Sequence, residues 1–238
     1  MKMPAASKHA ADAARRGRSR AFARAITRAP IACALACAAL ALCIVGALRA
    51  LPIADTADTT TPLHSTPVSE WAQGAIPHLY QTDPAWAHQP YAGGTVEENG
   101  CGPTCLSMVY IDLTGKTNLN PAEMARYSEE NGYVDGDMTS WTLMTEGAAR
   151  LGLSSEELPA DEDAVRSALS RGKPVICSVG PGDFTTSGHF IVLAGLDDAG
   201  RAIVHDPNSA ERSEKPWEIG RVLSQCRNLW AFTTPDGA

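Results

Sequence analysis

Little in this chain invites a nucleotide, a metal or a nucleic acid. It has no glycine-rich phosphate loop, and none of its Cys/His spacings has a zinc pattern. Neither a metal nor any other cofactor is therefore expected. Beyond Leu51 basic residues are scarce, with 11 Lys/Arg against 26 Asp/Glu. So acidic a body excludes nucleic acid as a partner. There are no internal repeats. What is present is 238 residues, 44% of them hydrophobic, enough for one domain of moderate size plus extras.

The basic charge lies at the front. Residues 1–29 hold eight Lys/Arg against the single acid Asp12 and read as a cytosolic tail. Ile31 to Leu48 follows, 18 residues without a charge and rich in Ala, Leu and Cys. As a helix that run spans about 27 Å, close to the hydrocarbon core of a bilayer. A basic flank before it and an acidic body after it predict the N-terminus inside and the body outside. A cleaved signal peptide, giving a secreted protein, is the competing reading. No convincing small-x-small cleavage site follows the run, and the region before it is long for a signal peptide. A membrane anchor over residues 30–51 is therefore preferred. Cys33, Cys37 and Cys43 lie in the run, and the residues before Cys37 make a poor lipobox. Residues 52–75, with Pro, Thr, Ser, Asp and Ala and few large apolar side chains, read as a disordered stalk. The folded domain is expected over 76–235.

Within it, capping residues and glycine stops predict helices first. One starts near Cys101 and ends by Gly115. A second opens at Asn120-Pro121-Ala122-Glu123 and ends near Gly132. A third runs from Thr139-Ser140 to Gly152, and a fourth over Asp161–Arg171. β-like runs follow at Pro174–Val179, His189–Ala194 and Ala202–His205, with Asp197-Asp198-Ala199-Gly200 as the hairpin turn between the last two. A short helix around Trp217–Leu223 and a strand at Leu229–Phe232 finish the domain. Helices packed on an antiparallel sheet make the expected fold α+β.

The chemistry gathers at Glu98-Asn99-Gly100-Cys101-Gly102-Pro103-Thr104-Cys105. It reads as a loop turning abruptly into a helix, with Gly100 and Gly102 flanking Cys101 for conformations a side chain would forbid. Pro103 suits a first helical turn. Cys101 thus sits at a helix N-terminus, where unpaired N–H groups and the macrodipole favour a thiolate, a ready nucleophile. On its own, such a cysteine is more often a buried small hydrophobe. Cys105, one turn further in, is expected to be such an inert thiol. Cys177 and Cys226 remain, and whether they pair cannot be read from spacing.

A thiol nucleophile needs a base, and the base an orienting group. His189 opens a strand, and Asp206 ends the next one. Folding the two strands about their turn brings position 189 opposite about 208, so Asp206 lies at most one diagonal step away. The bland readings are a structural histidine and a turn aspartate in Asp206-Pro207-Asn208. His205 is a rival base, but alternation turns it to the other strand face.

Gly100-Cys101-Gly102-Pro103-Thr104, Gly188-His189-Phe190 and His205-Asp206-Pro207-Asn208, in that order, resemble the papain-fold cysteine peptidases related to the bacteriocin double-glycine leader peptidases. Tyr80-Gln81-Thr82-Asp83-Pro84-Ala85-Trp86 resembles that family's opening segment. The resemblance implies a papain-like fold, a peptide or protein substrate, and a triad of Cys101 as nucleophile, His189 as base and Asp206 as orienter. Leader peptidases place a glutamine about six residues before the cysteine, where this chain has Thr95. The Gln81 side chain is therefore expected to join the Cys101 N–H as oxyanion donor, with Asn99 as the alternative. The reading is an extracytoplasmic cysteine peptidase working through a thioester. Its rivals are a non-catalytic peptide-binding module on the same fold and a cell-wall amidase or transpeptidase.

Overall fold

A computed structural model of the chain describes residues 63–235. After a 3-10 turn at Val68–Glu70 the chain forms a small hairpin, β1 (Pro90–Tyr91) and β2 (Gly94–Thr95). A one-turn helix, α1 (Val96–Asn99), leads into the long α2 (Cys101–Thr114). Next come α3 (Pro121–Glu130) and a second small hairpin, β3 (Val134–Asp135) and β4 (Met138–Thr139). A 3-10 turn (Trp141–Met144), α4 (Glu146–Arg150), β5 (Ser154–Glu157) and α5 (Glu162–Ser170) precede the main strands. These are β6 (Val175–Val179), β7 (His189–Leu196) and β8 (Ala202–His205). The domain ends with α6 (Ala210–Glu214), α7 (Ile219–Leu223) and β9 (Cys226–Thr233).

The sheet has the order β5-β9-β6-β7-β8 and is antiparallel throughout. Its strands alternate between two cores, as a pleat requires. Ile176, Phe190, Val192, Trp230 and Phe232 join the core that holds α2 and α3. Val175, Cys177, Ile191, Leu193 and Leu229 point the other way, onto Val165 and Leu169 of α5 and Ile219 and Val222 of α7. Helix α2 is buried from Gly102 to Asp112. That explains why its apolar residues run all round instead of along one stripe. Each fully buried Leu, Ile or Met there contributes about 1.5–3 kcal/mol, which fixes the end that carries Cys101. Local signals set the other helices. Asn120 caps α3 by accepting from the Glu123 N–H, with Pro121 in the first turn, and Asp161 caps α5 through the Ala164 N–H.

Several expectations need correction. The expected stalk, residues 52–75, runs too far. Trp71 is buried in the first core, the Thr66 N–H donates to the His78 carbonyl, and the Ser65 N–H donates to Asp83 Oδ2 at 2.7 Å. The packed region therefore begins by Ser65, not at 76. The helix expected from Thr139 to Gly152 is broken into a 3-10 turn and α4, with Ser140 capping the first piece. The last short helix starts at Ile219, while Trp217 makes a two-way backbone bridge to Ala202. Strand β5 was not expected. Among the described residues no helix is long and apolar enough to cross a membrane. The tail (1–29), the proposed anchor (30–51) and the stalk up to residue 62 lie outside the described residues.

Candidate active site

The segment before Cys101 is helix α1 and not a loop. Thr95 caps it by accepting from the Glu98 N–H, while the Glu98 carboxylate takes the Thr95 N–H in return. Gly100 then joins the two helices at φ −85°. Its need for glycine is close approach, because a Cβ would stand 2.5 Å from the Val96 carbonyl oxygen. At Gly102 a Cβ would meet the Thr139 side chain at 2.7 Å, so this glycine lets the head of α2 press against β4. Neither glycine has a positive φ, which revises the reason expected for them. The result is a partly buried Cys101 as the first residue of α2.

His189 is the first residue of β7 and 8% exposed. Asp206 follows β8 and is fully buried. The β7–β8 register pairs Val192 with His205, so continuing it sets position 189 opposite 208. The His189 Nε2 lies 2.8 Å from Asp206 Oδ1. With Nε2 taken, Nδ1 is the nitrogen left for the Cys101 thiol, which interacts with the ring. Burial alone would lower the His189 pKa. The hydrogen bonds with Asp206 and Cys101 outweigh it and raise the value to about 9. Burial likewise pushes Asp206 up, but His189, Arg212 and the Asn208 N–H together hold it below the usual carboxylate range. The three residues singled out in the sequence thus meet at one point.

Cys105 is fully buried one turn further along α2, and burial pushes its thiol well up. Cys177 and Cys226 are also free thiols. His205 turns away from Asp206 and stacks on His78, ring centroids 4.6 Å apart. Gln81 is 2% exposed and does not line the cleft. Its Nε2 donates to the Glu97 carbonyl at 2.6 Å, and its own N–H donates to the Pro207 carbonyl. It is therefore packed between α1 and the loop that carries Asp206. Asn99 does line the cleft, and its Nδ2 donates to the Ala92 carbonyl at 3.1 Å.

The cleft has a volume of about 400 Å³ and opens over Cys101 and His189. Its walls are Glu98 and Asn99 on one side, Asp137, Met138 and Thr139 of the second hairpin on another, and Ser187-Gly188 and Arg227 beyond. An exposed Met138 gives it an apolar lip, and Glu98, Asp137 and Arg227 give it charge of both signs.

The model of the Peptidase_C39 like family matches residues 74–235. The chain belongs to that family. Among solved structures it is similar to the peptidase domain of Streptococcus ComA, a bi-functional ABC transporter involved in a quorum sensing pathway. The identity is 22% and the TM-score 0.42, over 58% of this chain and 92% of that one. No curated protein matches the chain. Membership of the Peptidase_C39 like family agrees with the α+β, papain-like fold and with a function of the cysteine-peptidase type. Peptide is the substrate class it implies.

Some residues of this Peptidase_C39-like site escape a reading by motif. Thr139 sits in the cleft with its hydroxyl 2.9 Å from the Tyr91 hydroxyl. Arg212 reaches Asp206 from α6. Arg227 lines the cleft from β9. The Thr139-Ser140 signal marked a helix start and not a site, and nothing in the local pattern around Thr139, Arg212 or Arg227 points to Cys101.

Proposed function

We propose that this protein is a cysteine peptidase that hydrolyses peptide bonds through Cys101, His189 and Asp206. The observation that carries the reading is the His189–Asp206 pair, 2.8 Å apart and buried, beside a half-buried thiol at the head of α2. Cys101 Sγ attacks the scissile carbonyl carbon as the thiolate, and its proton is held on His189 Nδ1. The tetrahedral oxyanion is met by the Cys101 N–H, with the Asn99 amide, which lines the cleft, as the second donor in place of the buried Gln81. Collapse breaks the C–N bond, and His189 delivers the proton to the leaving amine. The thioester remains. His189 then takes a proton from water, the hydroxide attacks the thioester carbonyl, and the carboxylic acid leaves as Cys101 is regenerated. Asp206 keeps Nε2 protonated and the ring aimed throughout.

The domain is proposed to work on the extracytoplasmic side, held by the apolar run Ile31–Leu48. The charge step across that run supports this. Protease added to intact cells should remove the domain and spare the basic head. Protection of the domain until lysis would overturn this topology.

The test of activity is labelling of the full chain with a thiol-reactive peptide probe, followed by mapping of the modified residue. Modification at Cys101 that fails in His189→Ala, and turnover of a peptide mixture lost in Cys101→Ser, are expected. Full turnover by Cys101→Ser would rule the reading out.

A further inference from the structure

The Asp206 carboxylate is completely buried, yet it serves a histidine whose charge must change during turnover. When His189 is an imidazolium, the pair is neutral. When His189 has given up its proton, Asp206 would be a lone buried anion, a state that costs several kcal/mol in a protein interior. A second partner is present. Arg212 Nε donates to Asp206 Oδ2 at 2.5 Å, on the oxygen that His189 does not use. The Arg212 side chain is only 25% exposed.

The local chain is built to deliver that guanidinium. Asp206 Oδ1 accepts from the Asn208 N–H at 2.8 Å, which turns the chain sharply after β8. Ser209 then caps α6 by accepting from the Arg212 N–H, and Ser213 Oγ accepts the Asp206 N–H at 2.9 Å. Arg212 also takes the Trp217 Nε1 on its carbonyl at 2.8 Å, so its backbone is held from the far side.

We infer that Arg212 is a positioning residue of this site, a fixed cation that keeps Asp206 ionised and aimed while His189 gains and loses its proton. This rests on the triad proposed above. An arginine suits the task because it does not deprotonate in proteins, so its charge persists through the cycle. The other groups facing Asp206 cannot replace it. His78 turns its ring toward the Asp206 backbone, Tyr80 and Cys105 lie within its field, and all three are neutral at pH 7.

The experiment measures the rate of Cys101 alkylation by iodoacetamide against pH, with mapping of the modified residue, in the full chain. Arg212→Gln keeps a hydrogen-bond donor and loses the charge. Asp206 should then take a proton nearer neutrality, so the acid limb of the profile moves up by about one pH unit. At a fixed pH on that limb alkylation becomes about tenfold slower. Arg212→Lys, which keeps the charge, should move the limb less. A Gln profile that overlays the parent, or a Lys profile displaced as far as Gln, would overturn the inference. Should Arg212→Gln fail to fold, the same substitution in Asp206→Asn serves, since the buried charge is gone. There Arg212→Gln should leave the limb where Asp206→Asn alone puts it, and a further displacement would overturn the inference. The failure of the triad itself looks different: Cys101 in the parent chain would then alkylate no faster in the presence of His189 than in His189→Ala.

Discussion

Two histidines stand at neighbouring strand ends and meet opposite fates. His189 opens β7, is buried against Asp206 and Cys101, and has its pKa raised to about 9. His205 closes β8, one residue before Asp206, and has its pKa lowered to about 4 by burial and by the neighbouring His78. Its Nδ1 is buried without a partner. Burial is common to both, so burial does not decide. The strand pleat does: it gives one histidine the carboxylate and the other an aromatic stack. Sequence adjacency to Asp206 is worth nothing to His205, while a partner 17 residues away determines the charge of His189.

The comparison breaks first at the chemistry. His189→Ala should cost on the order of 10⁴ in turnover or more, whereas His205→Gln should stay within a few-fold of the parent. Peptide turnover by the two variants measures this, and equal losses would erase the distinction. Asn99→Ala should lower kcat by roughly 10²–10³ if its amide meets the oxyanion, with the fold retained by circular dichroism. A loss that appears only in KM would remove it from that role.

The pair also predicts opposite slopes of stability with pH. His189 is raised above its unfolded value of 6.5, so its contribution is full below that pH and is lost as pH climbs toward about 9. His205 is depressed, so the unfolded chain binds its proton more tightly. Its contribution is present above pH 6.5 and is lost as pH falls toward about 4. Each window is bounded by about 3 kcal/mol. Urea unfolding at acid, neutral and alkaline pH should show the acid slope flattened in His205→Gln and the alkaline slope flattened in His189→Gln. The reverse assignment would refute the argument. The smallest effect belongs to Cys105→Ser, which leaves most activity intact and trades a buried thiol for a hydroxyl. A cost of about 1–2 kcal/mol, or a Tm lower by roughly 2–8 °C, is expected by calorimetry.

What the sequence disclosed follows from how local each cause is. The β7–β8 pairing was legible because a short turn, Asp197–Gly200, sets which positions face each other, to within the one-residue bulge between Leu193 and Gly195. Cys101 was legible because glycines and a proline mark the start of a buried helix. Arg212 was not, because its reach depends on the chain reversal at Asn208 and the direction of a five-residue helix. The domain start was misjudged because composition outvoted a single residue: Trp71, one aromatic among mostly small and polar residues, carries that segment into the core. Strand β5 was hidden for a different reason. Ser154-Ser155-Glu156-Glu157 has no apolar alternation, since β5 borrows its place from pairing with β9.

The polarity of β5 has a consequence for crowded solutions of this protein. Among the described residues it is an outermost strand, with one row of backbone donors and acceptors facing no other strand, a standing invitation to polymerise edge to edge. Glu156 and Glu157 are exposed there, and Pro159 follows two residues on. A second molecule approaching that border meets like charge and then a residue with no N–H to offer. At the opposite border Ala202 already spends both its backbone groups on Trp217. The sheet is guarded at one end by repulsion and, at Ala202, by occupancy at the other.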